Sequence, residues 1–158
     1  MSEAFNAFVS HLECGETGEQ YPANQVYNVS AGGFPLLVRY DLMALKDALK
    51  PRTLSPDLPG FWRYSKLLPL GPLEQLVSLG EVCTPLIPLT IDAINSSSGP
   101  RCNVWIKDEG LLPTGSFKAR GVSLAVNMAK QLGIQKMAIP TNGNAGAALA
   151  AYLSLIHI

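Results

Sequence analysis

The segment Asn103–Tyr152 constrains this chain most, because its apolar spacing alternates between the strand and helix periods. Val104-Trp105-Ile106 is a short run of buried-strand type. A loop ending at Ser116 follows, and then Phe117, Gly121, Leu124, Ala125, Met128, Ala129 and Leu132 recur at helical spacing on one face. Ser116 offers an N-cap and Gly133 a C-terminal stop. Lys136-Met137-Ala138-Ile139 reads as the next strand, Thr141–Asn144 as a tight turn and Ala145–Tyr152 as the next helix. Strand, helix, strand, helix at this spacing predicts an α/β fold with a parallel sheet and flanking helices.

The preceding half is less regular. Pro35–Tyr40 alternates as a strand, and Asp41 caps a helix with Leu42, Leu45 and Leu49 on one face and Pro51 ending it. Pro51–Pro59 reads as a connection, Phe61-Trp62-Arg63-Tyr64 with Leu67-Leu68-Pro69 as an apolar anchor, Thr84–Leu89 as extended, and Ser96–Pro100 as a loop.

Charge and cysteine usage exclude several function classes. Twelve Lys and Arg balance twelve Asp and Glu, which leaves no basic footprint for nucleic acid. The weakly polar run Met137–Ile158 is broken at Pro140–Asn144, so no membrane span is expected, and the first residues resemble no secretory or transit signal. A cytoplasmic protein is the expectation. Cys14, Cys83 and Cys102 are widely spaced without a C-x-x-C, which fits reduced thiols. His11 and Cys14 alone do not make a zinc site, and no metal is expected.

Two loops follow predicted strands and open into helices, where open α/β sheets place ligands. The first, Pro113–Lys118, puts a lysine in the first turn of a helix. The positive end of the helix dipole disfavours a second positive charge there and should lower the amine pKa. Desolvated further by Phe117 and the sheet, Lys118 could attack an aldehyde to form a Schiff base. The alternative is a solvated lysine on a helix shoulder. The second, Thr141–Gly146, offers a hydroxyl, side-chain amides and free backbone N–H groups, a cradle for a carboxylate or phosphate. A plain tight turn with a small-residue packing face is its alternative.

The stretch Trp105-Ile-Lys-Asp-Glu-Gly-Leu-Leu-Pro-Thr-Gly-Ser-Phe-Lys-Ala-Arg-Gly121 resembles the lysine motif of threonine synthases, fold type II enzymes that use pyridoxal phosphate. The resemblance extends to Pro35–Leu42, Trp62–Pro69, Val77–Glu81, Thr84–Pro88 and Ile139–Gly146, and so covers most of the chain from His11 to Tyr152. It implies that Lys118 holds the cofactor as a Schiff base and then acts as general acid and base, with Phe117 also among the cofactor-binding residues. Asn144 would hydrogen-bond the ring hydroxyl oxygen, and Thr141, Asn142 and Gly143 would line the pocket for the substrate carboxylate. The implied reaction converts O-phospho-L-homoserine and water to L-threonine and phosphate, in a homo-oligomer when full length. Related dehydratases or β-replacement enzymes, and a non-catalytic metabolite-binding member of the fold, are the competing readings.

On this resemblance, residues 1–60 form an N-terminal extension and 61–152 the first part of the catalytic α/β domain. The fold type II sheet would be incomplete in this chain, because family members run well past Ile158 and carry the cofactor-phosphate loop there. Leu153–Ile158 matches the translation of a transposon mosaic end used in sequencing libraries, so 153–158 is expected to be an adaptor-derived tail in which His157 has no role. Val82-Cys83 stands where the family shows a glycine first, and only Cys14 remains of the cysteine pair that many relatives carry near the amino end.

Overall fold

A computed structural model describes residues 6–49, 58–73, 75–89 and 103–157. The Ser96–Pro100 loop, most of the Pro51–Pro59 connection and Cys102 lie outside the described residues.

The first half forms an antiparallel sheet of β1 (Val9–Cys14), β2 (Gln20–Tyr21) and β3 (Leu36–Tyr40), in the order β2-β1-β3. Leu12 is the register point, opposite Tyr21 on one side and Val38 on the other. The strand expected at Pro35–Tyr40 is β3, and the helix expected after it is α1 (Leu42–Ala48). Asp41 caps α1 as expected: its carboxylate accepts the N–H groups of Met43 at 3.1 Å and Ala44 at 2.9 Å.

The apolar anchor folds into a 3-10 helix, Gly60–Leu67, which buries Trp62 completely. β4 (Leu86–Leu89) then pairs with β5 (Val104–Lys107), and this pairing is antiparallel, from Leu86 opposite Lys107 to Leu89 opposite Val104. The α/β composition is therefore as expected, but the parallel pairing is not found among the described residues. Lys136–Ile139, expected as a strand, has no ladder there either. Residue type shows that a segment suits an extended backbone. The direction of pairing depends on which other strand lies alongside, and that is a long-range property.

Two helices build the core. α2 (Lys118–Gln131) packs on α3 (Asn144–Ser154), and Ala119, Val122, Val126, Ala148, Leu149 and Tyr152 are buried with Val77 and Leu112. Met137, Leu153 and Ile156 pack partly against this cluster. Of the face its spacing suggested, Ala129 is buried, but most of the buried face of α2 lies elsewhere. Gly121, Leu124, Ala125 and Met128 instead line a cavity of about 280 Å³ shared with Val9, Leu12 and Val38 of the N-terminal sheet. α2 carries two apolar stripes, and the smaller side chains, Ala119, Ser123 and Ala129, are on the stripe that buries most completely.

Both ends of α2 follow local rules. Gly133 (φ +70°) donates to the Lys130 carbonyl at 3.1 Å and Ile134 donates to the Ala129 carbonyl at 2.9 Å, a Schellman stop at the predicted glycine. Within α2, the buried Asn127 amide exchanges two 2.8 Å hydrogen bonds with the backbone of Val77 and gives a third to the Ser123 carbonyl. This holds the chain at Val77 against the helix. Within the 77–84 segment lies Glu81, 1% exposed, whose carboxylate accepts hydrogen bonds from Trp62, Ser78, Leu79 and Tyr152. Glu81 thereby joins the 3-10 helix to α3.

Candidate functional site

The approach to Lys118 is a chain of tight turns. Asp108 accepts the Gly110 N–H at 3.1 Å to start the Glu109–Leu111 turn, and Leu112 is buried as its anchor. Thr114 (φ +66°) and Gly115 (φ +68°) follow, two consecutive residues in the left-handed region, which a threonine adopts only under constraint. Ser116 returns to an extended backbone. Its Oγ accepts the Lys118 N–H at 3.3 Å and its carbonyl accepts the Ala119 N–H at 3.2 Å. The predicted cap thus satisfies amides that the start of α2 would otherwise leave free.

Lys118 opens α2 and is exposed, with Nζ 4.5 Å from the centroid of the Phe117 ring. Phe117 lies beside the amine but is itself 59% exposed, so ring and amine share an open surface and not the desolvated pocket that was expected.

The second loop is built around one hydroxyl. Thr141 Oγ1 accepts the N–H groups of Gly143 and Gly146, both at 3.0 Å, and so caps α3 from three residues ahead of its first residue. Gly143 has φ +139°, open to glycine only, and a Cβ on Gly146 would stand 2.6 Å from the Thr141 methyl. The two glycines therefore serve the threonine. With both lone pairs of Oγ1 occupied, the remaining capacity of the hydroxyl is its O–H, a donor on an exposed residue. Asn142, Gly143 and Asn144 are exposed around it. α3 touches both α2 and the Pro113–Gly115 turn, so the helix that Asn144 leads packs on the loop that delivers Lys118. Thr141→Val should cost about 1 kcal/mol as α3 loses its cap, whereas Thr141→Ser should cost less. Thermal melts and amide exchange at Gly143 and Gly146 check this; equal exchange in Thr141→Val would remove the capping role.

One cluster at the two ends of the loop that carries Lys118 was not read from the sequence. The Glu109 carboxylate receives Arg120 through both Nε and Nη2, the latter at 2.8 Å, together with the Thr84 hydroxyl at 2.6 Å. Lys107 Nζ stands 3.7 Å away and donates to the Thr84 carbonyl at 3.1 Å. The Arg120 hydrogen bonds, helped by Thr84 and the charges of Arg120 and Lys107, outweigh partial burial and hold the Glu109 carboxyl down at about 2. The only signal in the sequence is an acid and a base on either side of a turn. Among the described residues no group of three His, Cys, Asp or Glu side chains could hold a metal ion, and no helix is long and apolar enough to cross a membrane.

Against known proteins, residues 77–158 match the family described as pyridoxal-phosphate dependent enzyme. Threonine synthase of Methanosarcina acetivorans is 36% identical over 143 residues, covering 90% of this chain and 34% of that protein. Threonine synthase of Methanocaldococcus jannaschii is 34% identical over 142 residues, 89% of this chain and 33% of the relative. That of Synechocystis sp. is 42% identical over 89 residues, 56% of this chain and 23% of the relative. The chain spans about a third of the length of the first two relatives.

Proposed function

Because the chain belongs to the family of pyridoxal-phosphate dependent enzymes, we propose that it carries the lysine-bearing part of a threonine synthase. The reaction is the conversion of O-phospho-L-homoserine and water to L-threonine and phosphate. Lys118 carries this reading: an exposed primary amine in the first turn of α2, in a chain that aligns over 90% of its length with a threonine synthase. On the same reading, residues 61–152 belong to a fold type II catalytic domain whose parallel sheet extends beyond the strands described above.

The groups present fit the cofactor's chemistry. An aldehyde needs a reachable amine, and Lys118 Nζ is exposed beside Phe117. Asn144 presents a side-chain amide for the ring hydroxyl oxygen. The free O–H of Thr141, with the amides of Asn142 and Gly143, suits a substrate carboxylate. When bound, pyridoxal phosphate supplies an electron sink that lets protons leave Cα and Cβ before phosphate departs. Lys118 Nζ is the base that takes those protons and the acid that returns them. The Thr141 loop sets where the carboxylate stands, and with it the Cα–H bond relative to Nζ.

Incubation of the full-length protein with pyridoxal phosphate, borohydride reduction and peptide mapping tests the reading. A pyridoxyl group on Lys118 is expected, absent from Lys118→Ala. Label spread evenly over Lys130 and Lys136 would overturn it. Assays on phosphohomoserine, threonine and serine then separate threonine synthesis from dehydration, with phosphate release from phosphohomoserine as the expected activity.

A further inference from the structure

Building on the assignment of Lys118, we propose that Glu109 and Arg120 are positioning residues for that amine: their paired side chains close the 109–120 loop and set the rotation of the first turn of α2. Glu109 stands at the start of the loop and Arg120 two residues beyond the lysine, and the guanidinium grips the carboxylate through two nitrogens. Such a two-point contact fixes direction as well as distance. Thr84, just ahead of β4, joins both partners: its hydroxyl donates to Glu109, and Arg120 Nη2 lies 3.1 Å from the same oxygen. The guanidinium carbon also lies 5.8 Å from the centroid of the Phe61 ring. Three separate segments of the chain thus meet at one ion pair.

Helix geometry turns this anchor into an orientation. Successive residues of an α-helix are separated by about 100°, so Lys118 and Arg120 stand about 200° apart around α2. With Arg120 held inward and part-buried, Lys118 is left on the opposite, exposed side. The same pair supplies the constraint that the left-handed Thr114 and Gly115 require, because both ends of their loop are held. Arg120 also occupies Glu109, the one acidic side chain between positions 109 and 120.

The test compares wild type, Glu109→Gln, Arg120→Gln and Arg120→Lys in the full-length protein. The rate of pyridoxyl labelling is measured at Lys118 and, as an internal control at the far end of α2, at Lys130. Visible circular dichroism of the bound cofactor reports whether it is held in one asymmetric orientation. Misplacement by about 1 Å costs on the order of a hundredfold in well-oriented reactions. Labelling at Lys118 should therefore fall at least about tenfold in both Gln variants, with Lys130 unchanged and the dichroic band weakened. Arg120→Lys keeps the charge without the fork and should fall between. Equal labelling and an unchanged band in every variant would overturn the proposal, as would parallel changes at Lys118 and Lys130, which mark general destabilisation. If wild type itself fails to label Lys118, the functional assignment falls first and this inference falls with it.

Discussion

Glu81→Leu is expected to destabilise the chain by about 3–5 kcal/mol, enough to unfold its helical part under ordinary conditions. Glu81 is 1% exposed, and its two oxygens are the shared acceptors for the Trp62 indole, the Tyr152 hydroxyl, the Ser78 hydroxyl at 2.5 Å and the Leu79 N–H at 3.1 Å. Leucine removes the acceptor, which leaves the buried Tyr152 hydroxyl without a partner and the Trp62 indole with the Ser78 hydroxyl alone at 3.2 Å; a buried donor left unpaired costs about 1–3 kcal/mol. Glu81→Gln should cost less, because the amide oxygen still accepts while its NH₂ group opposes donors. Urea unfolding followed by tryptophan fluorescence reads both, since the Trp62 indole touches the Glu81 carboxylate directly. A Glu81→Leu protein as stable as wild type would show that the carboxylate is not a hub.

The pH dependence of the same site has a definite sign. Burial pushes the Glu81 carboxyl up, but the hydrogen bonds from Ser78, Tyr152 and Leu79 outweigh it and hold it below the ordinary range. A depressed folded value means that this stabilisation is fully present above the unfolded carboxylate pKa. It is lost as pH falls through the folded value. Tyr152 has the opposite shift: burial and the adjacent Glu81 charge raise its phenol, so its contribution is present below the ordinary tyrosine range and fades as pH rises through the folded value. Wild-type stability should therefore fall in acid and again in strong alkali. Glu81→Gln should show a weaker dependence at both ends.

The second large effect is at Gly60, where alanine should cost on the order of 4 kcal/mol. Gly60 has φ +56°, and a Cβ there would fall 1.4 Å from the Glu81 carbonyl oxygen and 2.5 Å from its carbon. Both obstructing atoms are backbone, so no side-chain rotation relieves the clash. The Phe61 N–H donates to that same carbonyl at 3.3 Å, and the two strands of backbone must part for a methyl group to enter. Separation draws Trp62 away from Glu81, so the Gly60→Ala and Glu81→Leu effects should be far from additive. Urea midpoints of the single and double variants give this coupling. A Gly60→Ala chain that unfolds with wild type would mean that the close approach is not maintained in solution.

Much of the local structure was legible because it depends on neighbours in the chain. Asp41, Ser116 and Gly133 were recognisable as helix-end residues, since a cap acts within a few residues of itself. Lys118 and Thr141 stood out for the same reason: each sits where an extended segment turns into a helix. Thr141 was read only as a pocket residue, however, and its capping of α3 became visible once its distances to Gly143 and Gly146 were known. The core face of α2 was read correctly at Ala129 but not at Ala119, Val122 and Val126, because these are as apolar as Leu124 and Met128. Periodicity cannot rank two stripes of one helix.

The sequence alone determined where helices start and stop, which amine and which loop stand at helix beginnings, and which family motif they form. These follow from backbone chemistry within a turn or two. Only the tertiary structure decided that β4 and β5 run antiparallel, which stripe of α2 meets α3, and that Glu81 joins Trp62, 19 positions before it, to Tyr152, 71 positions after it. It also decided that Glu109 meets Arg120. Such contacts depend on how the whole chain balances burial against unpaired polar groups, and no local pattern encodes that balance.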